Sequence, residues 1–251
     1  MNRKRLHNRV ALIAGISGDL ESTLSYKLAE QGCHVIVGIK HREKLGTLEK
    51  KLQRFRSGVV CQQTDISHHE SMRTLVQVAF KHFARIDFLV IHDISSGQTL
   101  PLGPGDMNGV RIEAKTNHFL VSEVLPHMSS RRTGHIIIIS TFETRKVVPF
   151  GTRNDSLKRM INRPQGQLMN EMRQNAIHYS AIYPYVHRLY QQEKYNHKYG
   201  EKVSRAVLQA LSSRKSEISV PRFLPNVFSF LNLSLLGVQN RFSAPVYQKQ
   251  D

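Results

Sequence analysis

The first chemistry that the sequence suggests is phosphate binding, in the stretch RVALIAGISGDLESTL (Arg9–Leu24). An apolar run typical of a buried strand, Val10–Ala14, ends at Gly15, and after Gly18 a helical pattern begins near Asp19. Glycines between a strand and a helix allow a tight turn, and the free N–H groups at the helix start can receive a pyrophosphate. Without a ligand, the same pattern describes an ordinary strand–turn–helix.

The same stretch also brings negative charge to that position. Asp19 and Glu21 fall in the first turn of the predicted helix, where carboxylates suit the helix dipole but repel a diphosphate. We therefore expect these side chains to fill the anion position and to satisfy the free N–H groups from within the chain. The alternative is that they are plain first-turn acids, with a cofactor still bound more weakly.

The charge balance favours anionic partners. The 251 residues include 36 Lys and Arg against 19 Asp and Glu, a formal net charge of +17 at pH 7. Such a field attracts nucleic acid, anionic lipid or phosphorylated ligands, unless the excess is spread over a solvated surface. Nucleic-acid binding is not expected, because no patch interleaves basic with aromatic residues.

Neither metal nor disulfide chemistry is expected. The chain has two cysteines, Cys33 and Cys61, both in apolar surroundings, and its 13 histidines show no zinc-type spacing. The basic N-terminus leads into an apolar run that is too short for a secretory signal. We expect an intracellular protein, either cytoplasmic or peripheral to a membrane.

Alternating strand and helix patterns must position these residues. Apolar runs predict six strands, at Val10–Ala14, Cys33–Ile39, Gly58–Asp65, Ile86–Asp93, Gly134–Thr141 and Ile177–Pro184. Helical patterns lie at Asp19 to about Gln31, Arg42–Phe55, about His69 to Phe83, a long segment ending near Leu125–Met128, and near Ser156–Arg173. Continuous β-branched runs are typical of parallel strands that helices cover on both faces. The prediction is an α/β fold, a doubly wound parallel sheet in a single domain spanning 1–220.

In such a sheet, ligands bind beyond the carboxyl ends of the strands, at the point where the strand order reverses. This rule places four segments around one crevice. They are the turn after Ala14, the segment after Asp65, the loop after Ile91 and the residues after Ile139.

Residues 221–251 form a distinct apolar C-terminal segment and tail. Pro221–Val238 is apolar but is broken by Pro225, is shorter than a comfortable transmembrane span, and has Arg222 and Arg241 on either side. Three interpretations remain open. The segment docks on the protein's own surface or on a dimer partner, attaches at the interface of an anionic membrane, or spans the membrane.

The order of motifs resembles the short-chain dehydrogenase/reductase family, over roughly residues 8 to 220. The resemblance implies a Rossmann fold, an NAD(H) or NADP(H) cofactor, hydride transfer to or from an alcohol or carbonyl, and a homodimer paired through long helices. The family's TGxxxGxG turn falls on Ala14–Glu21. Gly15 is in register, whereas Asp19 and Glu21 replace the other two glycines.

The resemblance also assigns cofactor-binding positions. Lys40 and Arg42 follow the second strand, where the family often pairs a basic residue with the 2′-phosphate, so NADP(H) is the expected cofactor if any binds. The alternative for these residues is a solvated loop. Asp65 and Ile66 keep the acid-plus-apolar pair of the adenine edge. The full assigned set is Gly15, Ser17, Gly18, Leu20, Lys40, Arg42, Asp65, Ile66 and Lys158.

Other family motifs are altered. The NNAG after the fourth strand becomes Ile91–Ile94, and the structural asparagine of the long helix falls near Glu113, with Asn117 close by. The Pro-Gly after the sixth strand becomes Pro184–Tyr185.

The catalytic positions are only partly kept. Thr141 takes the family's serine position, with Ser140 beside it, and Lys158 keeps the lysine of YxxxK, but the tyrosine position holds Asn154. In the family the tyrosine is the general acid/base, and the lysine lowers its pKa and holds the nicotinamide ribose. An amide has no transferable proton, and losing a general acid costs about 10²–10⁴ in rate.

We therefore expect a short-chain-dehydrogenase-like protein that has lost, or largely lost, hydride transfer and acts as a binding or scaffolding module. One alternative is an active NADP(H)-dependent oxidoreductase of a lipophilic carbonyl or alcohol, held near a membrane by Pro221–Val238. A further alternative is a basic binder of nucleic acid or of an anionic membrane.

Overall fold

The computed structural model describes residues 6–15, 19–92, 108–139, 168–184 and 193–220, which form one sheet with helices packed on both faces. The strands are β1 (Val10–Gly15), β2 (His34–Ile39), β3 (Val59–Gln63), β4 (Phe88–His92), β5 (Gly134–Ile139), β6 (Ile177–Pro184) and β7 (Glu217–Val220). The helices are α1 (Asp19–Glu30), α2 (Arg42–Leu52), α3 (His69–Phe83), α4 (Asn108–Ser130), α5 (168–174) and α6 (Glu193–Ser213).

The sheet is parallel throughout, with the strand order β3-β2-β1-β4-β5-β6-β7. The order reverses between β1 and β4, and there Gly15 lies in register with Ile39 on one side and with His92 on the other. The carboxyl ends of three neighbouring strands therefore meet in one row. The predicted doubly wound parallel sheet is confirmed.

The strands are apolar because both faces of the sheet are covered. β1 is buried along its whole length. Ile13 belongs to the apolar cluster shared with α1, α2 and α6, whereas Leu12 belongs to the cluster shared with α3, α4 and α5. This two-sided burial explains why the sequence shows continuous apolar runs rather than alternation.

The structure contains one strand and one helix that the sequence patterns did not predict. The edge strand β7 pairs with β6 through Pro184 and Val220, so the sheet has seven strands rather than the six predicted. Helix α6 packs along α1, where Lys27 Nζ lies 3.0 Å from Glu201 Oε2. A four-residue edge strand is too short to show a hydrophobic period, which explains the omission.

Several predicted segments are described only in part. Of the helix predicted near Ser156–Arg173, residues 168–174 are described and are helical. The segment Pro221–Val238 lies outside the described residues. Within the described ranges, no helix is long and apolar enough to cross a bilayer. The same ranges contain no group of three or more metal-ligating side chains.

Candidate functional site

The carboxyl ends of β1, β2, β3 and β4 bring several of the predicted cofactor-binding residues to one edge of the sheet. Gly15 ends β1, and Lys40 and Asp65 follow β2 and β3 within two residues. His92 ends β4 beside Gly15. This edge is where a doubly wound sheet binds its ligands.

Glu21 is the most unusual residue of this edge, because its side chain is completely buried. It lies on the first turn of α1 and is folded inward against the end of β1. A β-carbon added to Gly15 would overlap the Glu21 carboxylate and would lie 2.8 Å from Glu21 Cγ. Gly15 is thus the residue whose missing side chain makes room for the Glu21 carboxylate.

His92 holds the Glu21 carboxylate from the other side. Its Nδ1 hydrogen-bonds Glu21 Oε1, and the imidazole is as buried as the carboxylate. With Glu21 ionised, the carboxylate accepts and Nδ1 is the donor in this bond. Nε2 of His92 is buried and has no hydrogen-bond partner among the described residues.

Tyr199 of α6 completes this buried polar cluster. Its ring centroid lies 6.4 Å from that of His92, and its hydroxyl is buried with no hydrogen-bond partner in the described parts of the chain. Burial raises the pKa of Tyr199, and the charge of Glu21 raises it further. The hydroxyl therefore stays protonated at neutral pH and can only act as a neutral hydrogen-bonding group.

Asp19 is the second carboxylate of the α1 N-terminus, and it is much more accessible than Glu21. Its Oδ1 accepts a hydrogen bond from Lys44 Nζ at 3.0 Å, which ties the first turn of α1 to α2. Its side chain is 44% exposed, so this ion pair is solvated. One carboxylate of the first turn of α1 is thus solvated, and the other is buried.

An ion pair joins the two residues predicted at the adenosine end. Lys40 Nζ lies 2.9 Å from Asp65 Oδ2. Partial burial raises the pKa of Asp65, but hydrogen bonds from Ser67 and Lys40 outweigh this and hold the pKa well below its usual range. Asp65 is therefore ionised at neutral pH. Ile66 beside it is buried.

The remaining predicted positions divide into two groups. Arg42, the first residue of α2, is exposed, whereas Leu20 is buried in the apolar core between α1 and the sheet. The other predicted positions lie outside the described residues. These are Ser17, Gly18, Ser140, Thr141, Asn154 and Lys158.

The sequence patterns did not predict the pairing of Glu21 with His92 or the approach of Tyr199. A signal for the pairing was present, because an acidic and a basic residue replace small or neutral residues at two motif positions of the same predicted crevice. Tyr199 gave no such signal, since α6 was not predicted.

Residues 9–199 match the family model described as short chain dehydrogenase. The chain is similar to an uncharacterized oxidoreductase of Staphylococcus saprophyticus, with 25% identity over 186 residues that cover 71% of this chain and 78% of that protein. It is also similar to the human mitochondrial protein named dehydrogenase/reductase SDR family member 2, with 28% identity over 158 residues that cover 60% of this chain and 55% of that protein.

Solved structures share the fold. A metagenomic short-chain oxidoreductase in complex with NADP has a TM-score of 0.60 at 20% identity, covering 86% of this chain and 97% of that chain. A hydroxysteroid dehydrogenase from Escherichia coli has a TM-score of 0.65 at 16% identity, and the match covers 88% of this chain and 99% of that chain.

Proposed function

This chain belongs to the short chain dehydrogenase family, and from that premise we propose that it is a member whose NAD(P)-dependent hydride transfer is lost or strongly impaired. Its role in this proposal is that of a binding or scaffolding module built on the family's fold. The family's oxidoreductase chemistry requires a bound dinucleotide, so the proposal depends on the site where its pyrophosphate would bind.

The observation that carries the proposal is the buried carboxylate of Glu21, fixed between Gly15 and His92. A helix N-terminus attracts anions with a partial charge of about +0.5. Two carboxylates in the first turn of α1 exceed that charge, even with Lys44 beside Asp19. The Glu21 carboxylate is buried, so solvent screens it weakly. The two acidic residues in the first turn of α1 therefore do not fit a pyrophosphate.

The adenosine end fits a cofactor better. Lys40, Arg42, Asp65 and Ile66 offer two cations, a carboxylate and a buried apolar side chain at the ends of β2 and β3. Among the positions that the resemblance assigns to phosphate binding and proton transfer, the phosphate-binding turn and the tyrosine position disagree with the family pattern. There, the resemblance maps Asn154, which has no proton to transfer.

Titration of the full chain with NADPH and with NADH, followed by nicotinamide fluorescence, tests this proposal. We expect no saturable binding of either cofactor. Tight binding of either one contradicts the proposal, in which the two carboxylates of the first turn of α1 repel the cofactor's pyrophosphate.

A second candidate is an active NADP(H)-dependent oxidoreductase of a lipophilic carbonyl or alcohol. One observation favours it, since Lys40 and Arg42 are both exposed at the carboxyl end of β2. In this candidate, NADPH binds more tightly than NADH, and Arg42→Ala removes the difference. If the wild-type chain shows that preference, the second candidate replaces the first.

Two partners remain proposals of the same kind, a homodimer formed through the long helices and an anionic membrane surface bound through Pro221–Val238. Light scattering of the purified chain measures its mass in solution and so tests the homodimer. Cosedimentation with anionic and with neutral vesicles tests the membrane binding. Equal binding to both vesicle types contradicts an electrostatic contribution.

A further inference from the structure

Three arginine side chains meet on one buried carboxylate at the amino edge of the sheet, opposite the candidate cofactor edge. Asp87 precedes β4 and its side chain is 3% exposed. Its Oδ1 accepts hydrogen bonds from Arg9 Nη1 at 3.2 Å, from Arg131 Nη2 at 3.3 Å and from Arg85 Nη2. Its Oδ2 accepts a hydrogen bond from the backbone N–H of Val10 at 2.9 Å.

The charges of this cluster do not balance. Burial raises the pKa of Asp87, but the hydrogen bonds from Arg85 and from the Val10 N–H, with the charges of Arg85 and Arg9, lower it overall, so the carboxylate is ionised. One negative charge faces three positive ones. Helices α3 and α4 end next to Arg85 and Arg131 and contribute about −0.5 each. A net charge of roughly +1 remains in a partly buried place.

In the part of the chain that the structure describes, the hydrogen bonds to Asp87 use only one terminal nitrogen of each guanidinium group. Each carries five donors, and the three share a single carboxylate oxygen. The side chains of Arg9, Arg85 and Arg131 are 42%, 36% and 31% exposed, so one side of the cluster reaches solvent. Within the described residues, Nε of Arg85 is buried without a hydrogen-bond partner.

A purely structural role for the cluster explains only part of this arrangement. One arginine bound through both of its terminal nitrogens would neutralise Asp87 and fix the turn before β4. The second and third arginines instead repel the first across the shared oxygen. An additional anion bridging the outer N–H groups would remove that repulsion.

We propose that Arg9, Arg85 and Arg131 form a binding site for a phosphate group, either inorganic phosphate or a phosphate monoester. A phosphate carries about −1.5 to −2 charges at pH 7 and three strong acceptor oxygens, which can accept hydrogen bonds from the guanidinium N–H groups that Asp87 does not engage. β4 has five residues, so at about 3.3 Å per residue this site lies roughly 16 Å from the candidate cofactor edge. It is independent of whether a dinucleotide binds there.

Isothermal titration calorimetry of the full chain with inorganic phosphate, in a buffer whose only other anion is chloride, tests the site. We expect saturable binding that weakens with added salt. Arg131→Gln should weaken it at least about tenfold, as for the loss of a hydrogen bond to a charged group. Arg131→Lys keeps the charge but loses the planar fork, so its affinity should fall between those of the wild type and Arg131→Gln.

Arg205→Gln is the matched control, since it removes the same charge from a 75% exposed side chain on α6. Thermal unfolding of each variant checks that it is folded, and Arg9→Gln replaces Arg131→Gln if the latter is not. No phosphate binding by the wild type overturns the proposal, as does equal binding by Arg131→Gln and Arg205→Gln.

A second arm identifies the source of the phosphate group. Vesicles containing phosphatidate, which carries a phosphate monoester headgroup, are compared with vesicles of neutral lipid alone. Binding to the phosphatidate vesicles that Arg131→Gln abolishes assigns a lipid headgroup to the site. Binding of free phosphate without vesicle binding assigns a small soluble phosphate compound.

Discussion

The imidazole of His92 at the end of β4 hydrogen-bonds the carboxylate of Glu21 on α1, and the two residues are 71 positions apart in the sequence. Glu21 stands where the family turn has its last glycine, and His92 stands within the position of the NNAG motif. One buried bond therefore joins two positions at which, by the resemblance of the motifs, this chain differs from the family. Each side chain is the hydrogen-bond partner of the other, and both are buried.

A double-mutant cycle on this pair measures their dependence. His92→Ala leaves the Glu21 carboxylate buried without its imidazole, and we expect the free energy of unfolding to fall by about 3–5 kcal/mol. Glu21→Ala leaves a buried imidazole without its acceptor and should cost about 1–3 kcal/mol. The double variant should lose less than the two losses added together, with a coupling of about 1 kcal/mol or more in urea unfolding.

The exposed pair of Arg73 and Glu70 on α3, 2.8 Å apart, provides the control cycle. Its coupling should stay at about 0.5 kcal/mol or less, because solvent screens both charges. Additive losses at Glu21 and His92 would show that the bond contributes nothing to stability.

Restoring the family residues should restore cofactor binding. The triple variant Asp19→Gly, Glu21→Gly, His92→Asn removes both carboxylates from the turn and the imidazole that depends on one of them. We expect NADPH to bind at least about tenfold more tightly than to the wild type, since one charge interaction of about 1.4 kcal/mol corresponds to that factor. Nicotinamide fluorescence measures the affinity.

Glu70→Gly, which removes a first-turn carboxylate from α3 instead, should leave NADPH affinity unchanged. Adding Asn154→Tyr to the triple variant should further produce NADPH oxidation with a generic carbonyl compound. A folded triple variant that binds NADPH no better than the wild type refutes the charge argument at the turn.

The fold was predictable because its main signals are local, whereas the site depends on distant contacts. β1 and β5 are long apolar runs with β-branched residues, and α3 was predicted with the bounds that it has, His69–Phe83. The bond from Glu21 to His92 depends on the register of β4 beside β1 and on the rotation of α1, which no local pattern contains. Tyr199 could not be predicted, because its helix was not.

Stability should fall in mildly acidic solution because of His135. Burial, and then the charges of His178 and Arg214, lower the pKa of His135 from 6.5 to about 4. Between these values the unfolded chain binds a proton that the folded chain excludes. The stabilisation is therefore present above about pH 6.5, is lost as the pH falls to about 4, and amounts to about 3 kcal/mol at most.

Urea unfolding of the wild type and of His135→Asn from pH 7 to pH 4 measures this contribution. The variant should lose less stability over that window than the wild type does. His82→Asn, which removes an exposed histidine from α3, should follow the wild type. If the free energy of unfolding falls equally with pH in the wild type and in His135→Asn, His135 is not the titrating group.

Ala84 occupies a position that favours glycine. It caps the C-terminus of α3 with a left-handed backbone, φ 55°, and its N–H donates to the Phe80 carbonyl oxygen. A β-carbon costs about 1–2 kcal/mol in this conformation, part of which glycine loses again through its greater freedom when unfolded. Ala84→Gly should therefore raise the free energy of unfolding by roughly 0.5–1 kcal/mol.

The comparison for this variant is Ala206→Gly, inside α6, which should lower the free energy of unfolding by about 1 kcal/mol or more. Chemical denaturation of both variants decides the matter. A loss of stability in Ala84→Gly would mean that the alanine methyl group contributes more than the backbone strain costs.

The contact between Glu21 and His92 also constrains how this gene can change over generations. If Glu21 changes to glycine and His92 to asparagine in two separate steps, the intermediate protein has a buried polar group without its hydrogen-bond partner. Losing His92 first costs about 3–5 kcal/mol and losing Glu21 first about 1–3 kcal/mol, both a large share of the 5–15 kcal/mol by which domains are typically stable. The two positions are therefore energetically coupled, and a change at one of them costs least when the other changes with it.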